Sequence, residues 1–454
     1  MLHVRGWAMR LARPRCGRSV AGGVVVCTLA VLAVACGVIV GEPAGIVYPR
    51  LSIEGEIFGE IEALQVRIYG EHIDAVEEIF EVADGELVIE LPAGGPVTVE
   101  LRSLEPNGDG WRAGLYRGLA ETPVLQAGAE TVIVVPVHLP EPAGAGDVTW
   151  VAAATAGSAD EFEQAISSFL EIDAGEGEAF MLLVNDNIDV VGDWLDAHPG
   201  GDIYIIGESL DEERLITFDG GGDSRILNAF APQPNDFTFH VERLRFVDGY
   251  HNSSGGAIRA PVGYTRLAVF DSEFVGNQVN LDFGGAIRFG TPANPVDSVQ
   301  ITRSRFVNNQ AADDGGAISV AANTVGVITI DESEFIGNGA DLGGAVWVSG
   351  DDGTVGEFEI KDSVFRQNSA IEQGGAVGGP NIESIDITRS TFEENEAGTG
   401  GSVAWTNLAE LRSEGSSYIN NNTPLFDGFA TLTDGGGNVF EPEAHEPAWG
   451  LQGE

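Results

Sequence analysis

Between residues 237 and 422 the apolar positions fall in short β-branched runs broken by Gly, Asn and Asp. The runs alternate apolar and polar residues, which predicts strands; no 3.6-residue apolar period runs through the region. One unit reads as three very short strands, 299–301, 304–306 and 316–320. The unit then repeats. Phe-x-x-Asn occurs at Phe274 and Asn277, Phe306 and Asn309, Phe335 and Asn338, Phe365 and Asn368, and Phe392 and Asn395. Tyr418 and Asn421 form a sixth copy with Tyr in place of Phe. A serine lies two residues before each ring: Ser272, Ser304, Ser333, Ser363, Ser390 and Ser416. Between copies stands Gly-Gly-Ala plus an apolar residue, beginning at Gly255-Gly256, Gly284-Gly285, Gly315-Gly316, Gly343-Gly344 and Gly374-Gly375, and degenerate at Gly400-Gly401.

Successive rings are 26 to 32 residues apart. A period of that size signals a solenoid, a propeller or an array. Propeller blades need four strands and longer units, whereas three short strands per turn suit a parallel β-helix whose turns stack about 4.8 Å apart. Like residues then stack on like. The rings form an aromatic ladder in the core. The serine shares the ring's inward face, because strand side chains alternate, and its hydroxyl reaches a neighbouring turn's backbone. The asparagine is expected to close the turn, tolerating a left-handed backbone and stacking into an amide ladder. The paired glycines permit a sharp bend and close backbone approach. Architecture therefore explains nearly every signature residue.

These motifs resemble the repeat of the chlamydial-type polymorphic outer membrane proteins, and the wider fold resembles the pectin-lyase-like right-handed β-helices. The resemblance covers 237–422 clearly and 148–445 loosely. It implies an all-β, right-handed parallel β-helix. It is specific for the repeat and weak for any activity. Members of that family usually carry a C-terminal outer-membrane barrel. Only 32 residues follow Asn422, too few for an eight-stranded barrel, so autotransport is not implied.

Residues 1–35 hold Arg5, Arg10, Arg13, Arg15 and Arg18 and no acid, followed by an apolar run from Val20 to Val40. This predicts a secretory signal. Leu32-Ala-Val-Ala-Cys36-Gly37 resembles a bacterial lipobox, with Cys36 as the lipidated residue. A plain signal peptide or an uncleaved span is the alternative. Cleavage before Cys36 removes Cys16 and Cys27 and leaves one cysteine with nothing to pair. Residues 36–47 then read as a tether. Residues 48–139 read as a separate small β-sandwich, with strands near 64–69, 86–91, 97–104, 111–119 and 131–139. It serves as a spacer or a carbohydrate binder. Residues 140–147 are a Pro/Gly linker. Residues 148–236 form the solenoid's first, irregular turns. Ser158-Ala-Asp-Glu161 reads as a capping box, with Phe162, Ala165, Ile166, Phe169 and Leu170 on one apolar helix face that covers the open first turn. Residues 423–454 read as an end cap and tail.

Charge narrows the partners. Seventy acidic residues against 23 basic ones give a net charge of −47. Nucleic acid and anionic lipid surfaces are poor partners for such a chain. No cofactor is expected. Ca²⁺ has one weak candidate site, Asp219 and Asp223 in a Gly-rich turn, which reads first as a plain turn.

An enzyme of the pectin-lyase type needs two carboxyl groups across a groove for hydrolysis, or calcium-binding aspartates and an arginine base for elimination. Asp313-Asp314 is the candidate pair, and Arg259, Arg288 and Arg303 are candidate bases. The two acids occupy the variable turn before a Gly pair, where other copies carry Leu281-Asp282, Asp341-Leu342 and Glu372-Gln373; solvated turn acids are the expectation. His240 and His251 lie in no Gly-His-Gly motif. Together the sequence predicts an exported, lipid-anchored, outward-facing envelope protein. Its β-helix acts as a non-catalytic, adhesin-like scaffold for a carbohydrate or protein surface ligand. A polysaccharide lyase or glycoside hydrolase is the alternative.

Overall fold

The computed structural model describes residues 46–47, 50–54, 61–71, 73–81, 91–92, 94–108, 110–122, 132–146, 148–172, 174, 177–190, 200–211, 213–230, 236–349, 354–422 and 424–442. The signal segment, Cys36, most of the tether, all but Leu91 of the strand expected at 86–91, and the last twelve residues lie outside them.

Among the described residues the chain is all-β apart from one short helix, and its main body is a parallel β-solenoid. Three strand rows run its length. One row carries the rings, from Ile188–Asp189 to Val439–Glu441, ten strands in a single parallel sheet. The second row holds the longer strands before each serine, such as Val296–Thr302 and Val325–Asp331. The third row holds the strands after each Gly pair, such as Ile287–Phe289 and Ile318–Ala321.

The core is built from stacked copies. Phe218, Phe246, Phe274, Phe306, Phe335, Phe365, Phe392, Tyr418 and Phe440 form one ladder, with neighbouring centroids 4.7–5.6 Å apart and planes within 12°. Parallel pairing fixes that spacing, since each ring rides on its own strand. The ladder begins two turns before the first Phe-x-x-Asn copy and ends one ring after the last. Beside it runs a buried asparagine ladder. The Asn277 amide donates from Nδ2 to Asn309 Oδ1 at 2.9 Å and to the Phe246 carbonyl at 3.1 Å. The same pair of bonds recurs at Asn309, Asn338, Asn368 and Asn395. Each Oδ1 also accepts the backbone N–H of the preceding asparagine, at 2.8–3.1 Å. Every donor and acceptor of an interior amide is thus engaged, which a buried amide requires. The serines act likewise: the Ser304 N–H donates to Ser333 Oγ at 3.1 Å, and Ser304 Oγ donates to the Thr302 carbonyl at 2.9 Å.

The asparagines themselves are not left-handed. That conformation falls one residue earlier, at Gly276, Asn308, Gly337, Gln367, Glu394 and Asn420, and again just before each serine, at Asp271, Arg303, Glu332, Asp362, Arg389 and Gly415. The side chain that closes the turn needs an extended backbone to point inward, so its neighbour absorbs the bend. Within the five Gly-Gly-Ala copies, though not at the degenerate Gly400-Gly401, the duties divide. The first takes a positive φ, 65° at Gly315. A Cβ on the second would collide with the next turn, 2.1 Å from the Gly344 carbonyl oxygen in the case of Gly316.

The helix Ala159–Phe169 covers the first turn. Ser158 caps it by accepting the Glu161 N–H, and Phe162, Ala165, Ile166 and Phe169 are buried. Leu170, expected on that face, instead ends the helix and is 41 % exposed.

The N-terminal region forms a six-stranded, mostly antiparallel sheet, ordered Arg50–Glu54, Val132–His138, Gly110–Glu121, Thr98–Asn107, Ala63–Gly70 and Ile73–Glu81. Among the described residues its second layer is the solenoid. Leu64, Val66, Val99 and Val135 share one apolar cluster with Met181, Leu183, Tyr204 and Ile206, which project outward from the first solenoid turns. Two polar knots fasten the contact, the first buried and the second partly exposed. Glu208, 1 % exposed, pairs with Arg117, with Arg243 at 3.2 Å and with Arg102 at 3.5 Å. Glu105 accepts from Thr155 Oγ1 at 2.6 Å and pairs with Arg112, which also meets Glu161 of the cap helix at 2.8 Å.

Candidate functional site

Three outward regions of the solenoid carry chemistry. The first is the corner just before the Gly pairs. Backbone bonds stack its turns: Asp313 N–H donates to the Asp282 carbonyl, and Asp341 N–H to the Asp313 carbonyl. Asp314 is not a solvated turn acid. It is 8 % exposed, because the Gly pair folds the turn back against the outward row Arg259, Arg288, Ser319 and Trp347. Burial first, and the neighbouring Asp313 charge second, push its carboxyl up to about 7; Arg288 opposes them. Burial also raises Asp313, with Asp341 adding to it. Arg288 donates to Ser319 Oγ at 2.6 Å, lies over the Phe283 ring at 4.6 Å, and is lowered to about 10 by burial. Asp313 and Asp314 are chain neighbours, and the charge of one disfavours ionisation of the other.

Other candidates are engaged elsewhere. Arg259 donates to Asn228 Oδ1 at 3.2 Å. Arg303 makes a two-pronged bond to Asp271 at 2.8 and 2.7 Å on the outer surface. His251 bonds Arg225 at 2.7 Å and Ser253. Asp219 Oδ1 accepts the Gly221 N–H at 2.8 Å, and Asp223 lies 3.4 Å from Ser224 Oγ, so each serves its own turn. Among the described residues no three His, Cys, Asp or Glu side chains converge as metal ligands.

The second region is the outer face of the long-strand row. Its C-terminal half presents Asp331, Glu357, Glu359 and Asp386 together. Burial raises Glu359, and then Glu357 and Asp386 raise it further. Lys361 reaches Asp331 at 3.7 Å. Many arginines are drawn into cross-turn pairs: Arg245 with Glu273, Arg305 with Glu334, Arg366 with Glu393 and Arg389 with Asp362.

The third region lies on the N-terminal half of the same face, beneath the linker that follows the N-terminal sheet. Two clefts flank that linker. One, of about 950 Å³, runs along Val137–Pro142 and Trp150; the other, of about 280 Å³, lies over Tyr204, His240, Arg266 and Gln300. Sequence reasoning missed this region, although the continuous apolar runs 179–184 and 203–206 are the mark of strands buried on both faces.

The family model for the Chlamydia polymorphic membrane protein repeat matches residues 303–321. That stretch holds one full copy of both motifs, from Ser304 and Phe306 through Asn309 to Gly315 and Ile318. The repeat of this solenoid is of the polymorphic membrane protein type. The copies that the structure stacks above and below residues 303–321 carry the same ladder residues in register. No curated protein and no solved structure matches the chain. Among the described residues no helix is long and apolar enough to cross a membrane.

Proposed function

We propose that this chain is a surface-exposed, adhesin-like envelope protein that presents the outer faces of a polymorphic membrane protein-type solenoid to a ligand, without catalysis. The observation that carries this reading is the inward placement of the repeat signature. Ring, serine and asparagine are 0–3 % exposed in the matched copy, so contact with another molecule falls to the outward rows. Those rows are acidic and held flat by cross-turn ion pairs. The engagement of the candidate bases Arg259 with Asn228 and Arg303 with Asp271 supports a non-catalytic reading. The lipid anchor at Cys36, the spacer role of the N-terminal sheet and an outer-membrane location facing the exterior belong to the same proposal; docking of the sheet onto the solenoid supports a rigid stalk.

The test is adhesion of cells that display the full chain to glycan- and protein-coated surfaces. Cells lacking the chain and cells carrying Cys36→Ser serve as controls. Adhesion equal to that of cells lacking the chain would refute the reading. One observation favours the enzymatic alternative: a buried carboxyl at about 7 suits a general acid. Turnover of any polysaccharide by the purified chain, lost in Asp314→Asn, would establish it instead.

A further inference from the structure

We propose that the smaller cleft, between the linker and the outer face of the first full solenoid turns, binds a single neutral sugar ring. The proposal rests on the adhesin-like reading and names its ligand.

The hollow arises from register. One outward row runs Tyr204, His240, Ala268, Gln300. Ala268 is the short member, so its methyl forms a floor with His240 on the turn before and Gln300 on the turn after. Arg266 flanks it on one side and Phe270 on the other, two residues away along the strand. Gly144, Ala145, Gly146 and Val148 form the roof. A Cβ on Gly144 would stand 2.6 Å from the Phe270 ring, so the roof sits hard against that wall. The volume of about 280 Å³ is at the lower end of small-ligand pockets, roughly 300–1,000 Å³, and suits one ring rather than a chain.

The walls are held without a ligand. His240 packs on Tyr204 at 4.8 Å with the rings tilted by 33°, and stacks on Phe270 at 5.4 Å. Its Nε2 is 3.1 Å from Glu242, which also accepts the Ala143 N–H at 2.8 Å and ties down the linker. Arg266 donates to Thr238 Oγ1 at 3.1 Å and to Asp236 Oδ1 at 2.5 Å. Preorganised walls lower the ordering cost of binding.

Hydrogen-bonding capacity remains inside. No described residue hydrogen-bonds the Ser298 hydroxyl. Gln300 makes one long contact, 3.5 Å to Thr302. Asp202 Oδ1 accepts from the Thr238 N–H at 2.8 Å, and burial lifts this carboxyl above the usual range. A hydroxyl, an amide and a carboxyl around a small apolar floor complement the alternating O–H and C–H surface of a pyranose. Charge excludes the other classes. Arg266 is already answered by Asp236 and Asp297, which leaves no spare positive charge for an anion. One carboxylate is too few for a divalent cation.

The experiment is saturation-transfer NMR on the full chain with methyl glucoside, galactoside, mannoside and N-acetylglucosaminide, and with glucuronate as the charged probe. At least one neutral glycoside should bind. Ala268→Leu should weaken it by about tenfold or more and Gln300→Ala severalfold, with the urea midpoint unmoved because both positions face outward. Thr329→Leu, the next position down the same row, should leave binding intact. Failure of every neutral glycoside, preference for glucuronate, or undiminished binding in Ala268→Leu would overturn the site. Adhesion of displaying cells is scored separately. Adhesive cells with no neutral-sugar binding would sink this site and spare the surface reading; sugar binding by a chain that confers no adhesion would do the reverse.

Discussion

Asn338→Ala probes the device that holds the turns in register. In the native chain Asn338 Oδ1 accepts both the Asn309 N–H and the Asn309 Nδ2–H, each at 3.0 Å. Its own Nδ2 donates to the Phe306 carbonyl at 3.0 Å and to Asn368 Oδ1 at 2.9 Å. Truncation leaves two donors without an acceptor and removes one donor from each of two acceptors, all in the interior. A buried unsatisfied group costs about 1–3 kcal/mol, so the expected loss is roughly 3–5 kcal/mol. Urea unfolding followed by far-UV circular dichroism should show a lower midpoint at unchanged slope. Asn338→Leu sharpens the test. It restores volume but no hydrogen bonds, so it should be no milder than alanine. Exposed Asn323→Ala, which loses two solvent-facing bonds, one to the Ala293 carbonyl and one from Thr324 Oγ1, should stay within about 0.5 kcal/mol. A loss below about 1 kcal/mol at position 338, or rescue by leucine, would show that the ladder is filler rather than fastening.

Stability should also fall as pH rises through about 7, the value to which Asp314 is raised. The folded chain keeps that proton while the unfolded chain releases it near pH 4, so acid favours the fold, on the order of 3 kcal/mol between pH 8 and pH 5. Asp314→Asn should flatten that part of the urea-midpoint profile; an unchanged profile would place the titration elsewhere. Gly316→Ala drives a Cβ to 2.1 Å from the Gly344 carbonyl and should prevent soluble folding or cost several kcal/mol, whereas Gly146→Ala, which meets nothing, should be silent. Glu208→Gln leaves three arginines around a neutral group and should cost about 3–5 kcal/mol; limited proteolysis should then cut the N-terminal sheet from an intact solenoid, and protection equal to wild type would argue against the knot.

The solenoid was legible because its code is local and redundant. Ring, serine, asparagine and the Gly pair recur within each turn, and a parallel stack demands the same residue at the same place. Legibility stops where the code is broken. Phe246-Val-Asp-Gly249 keeps the ring but has glycine for asparagine, where the Gly249 N–H takes over by donating to Asn277 Oδ1 at 2.9 Å; Phe218 and Phe440 have no asparagine at all. The edge strand Ile73–Glu81 was missed because none of its residues is fully buried, so no clean alternation marks it. The burial of Asp314 and the hollow over Ala268 were not legible, since both depend on which residues neighbouring turns set beside them some 30 positions away. Docking of the N-terminal sheet is likewise a long-range fact. Tyr204 and Ile206 read as strand residues either way, and only assembly turns their outer faces inward.

Turn length varies from 26 to 32 residues while ring spacing stays within 4.7–5.6 Å. All the slack is carried by loops outside the ladders. Each rung is therefore an exchangeable cassette, with identical chemistry above and below. Excising 306–334 would join Ser304-Arg305 to Phe335, bring Phe335 under Phe274 and Asn338 under Asn277, and shorten the column by one step of about 4.8 Å. Recombination between copies can thus change how far the molecule reaches in whole steps, without any compensating substitution.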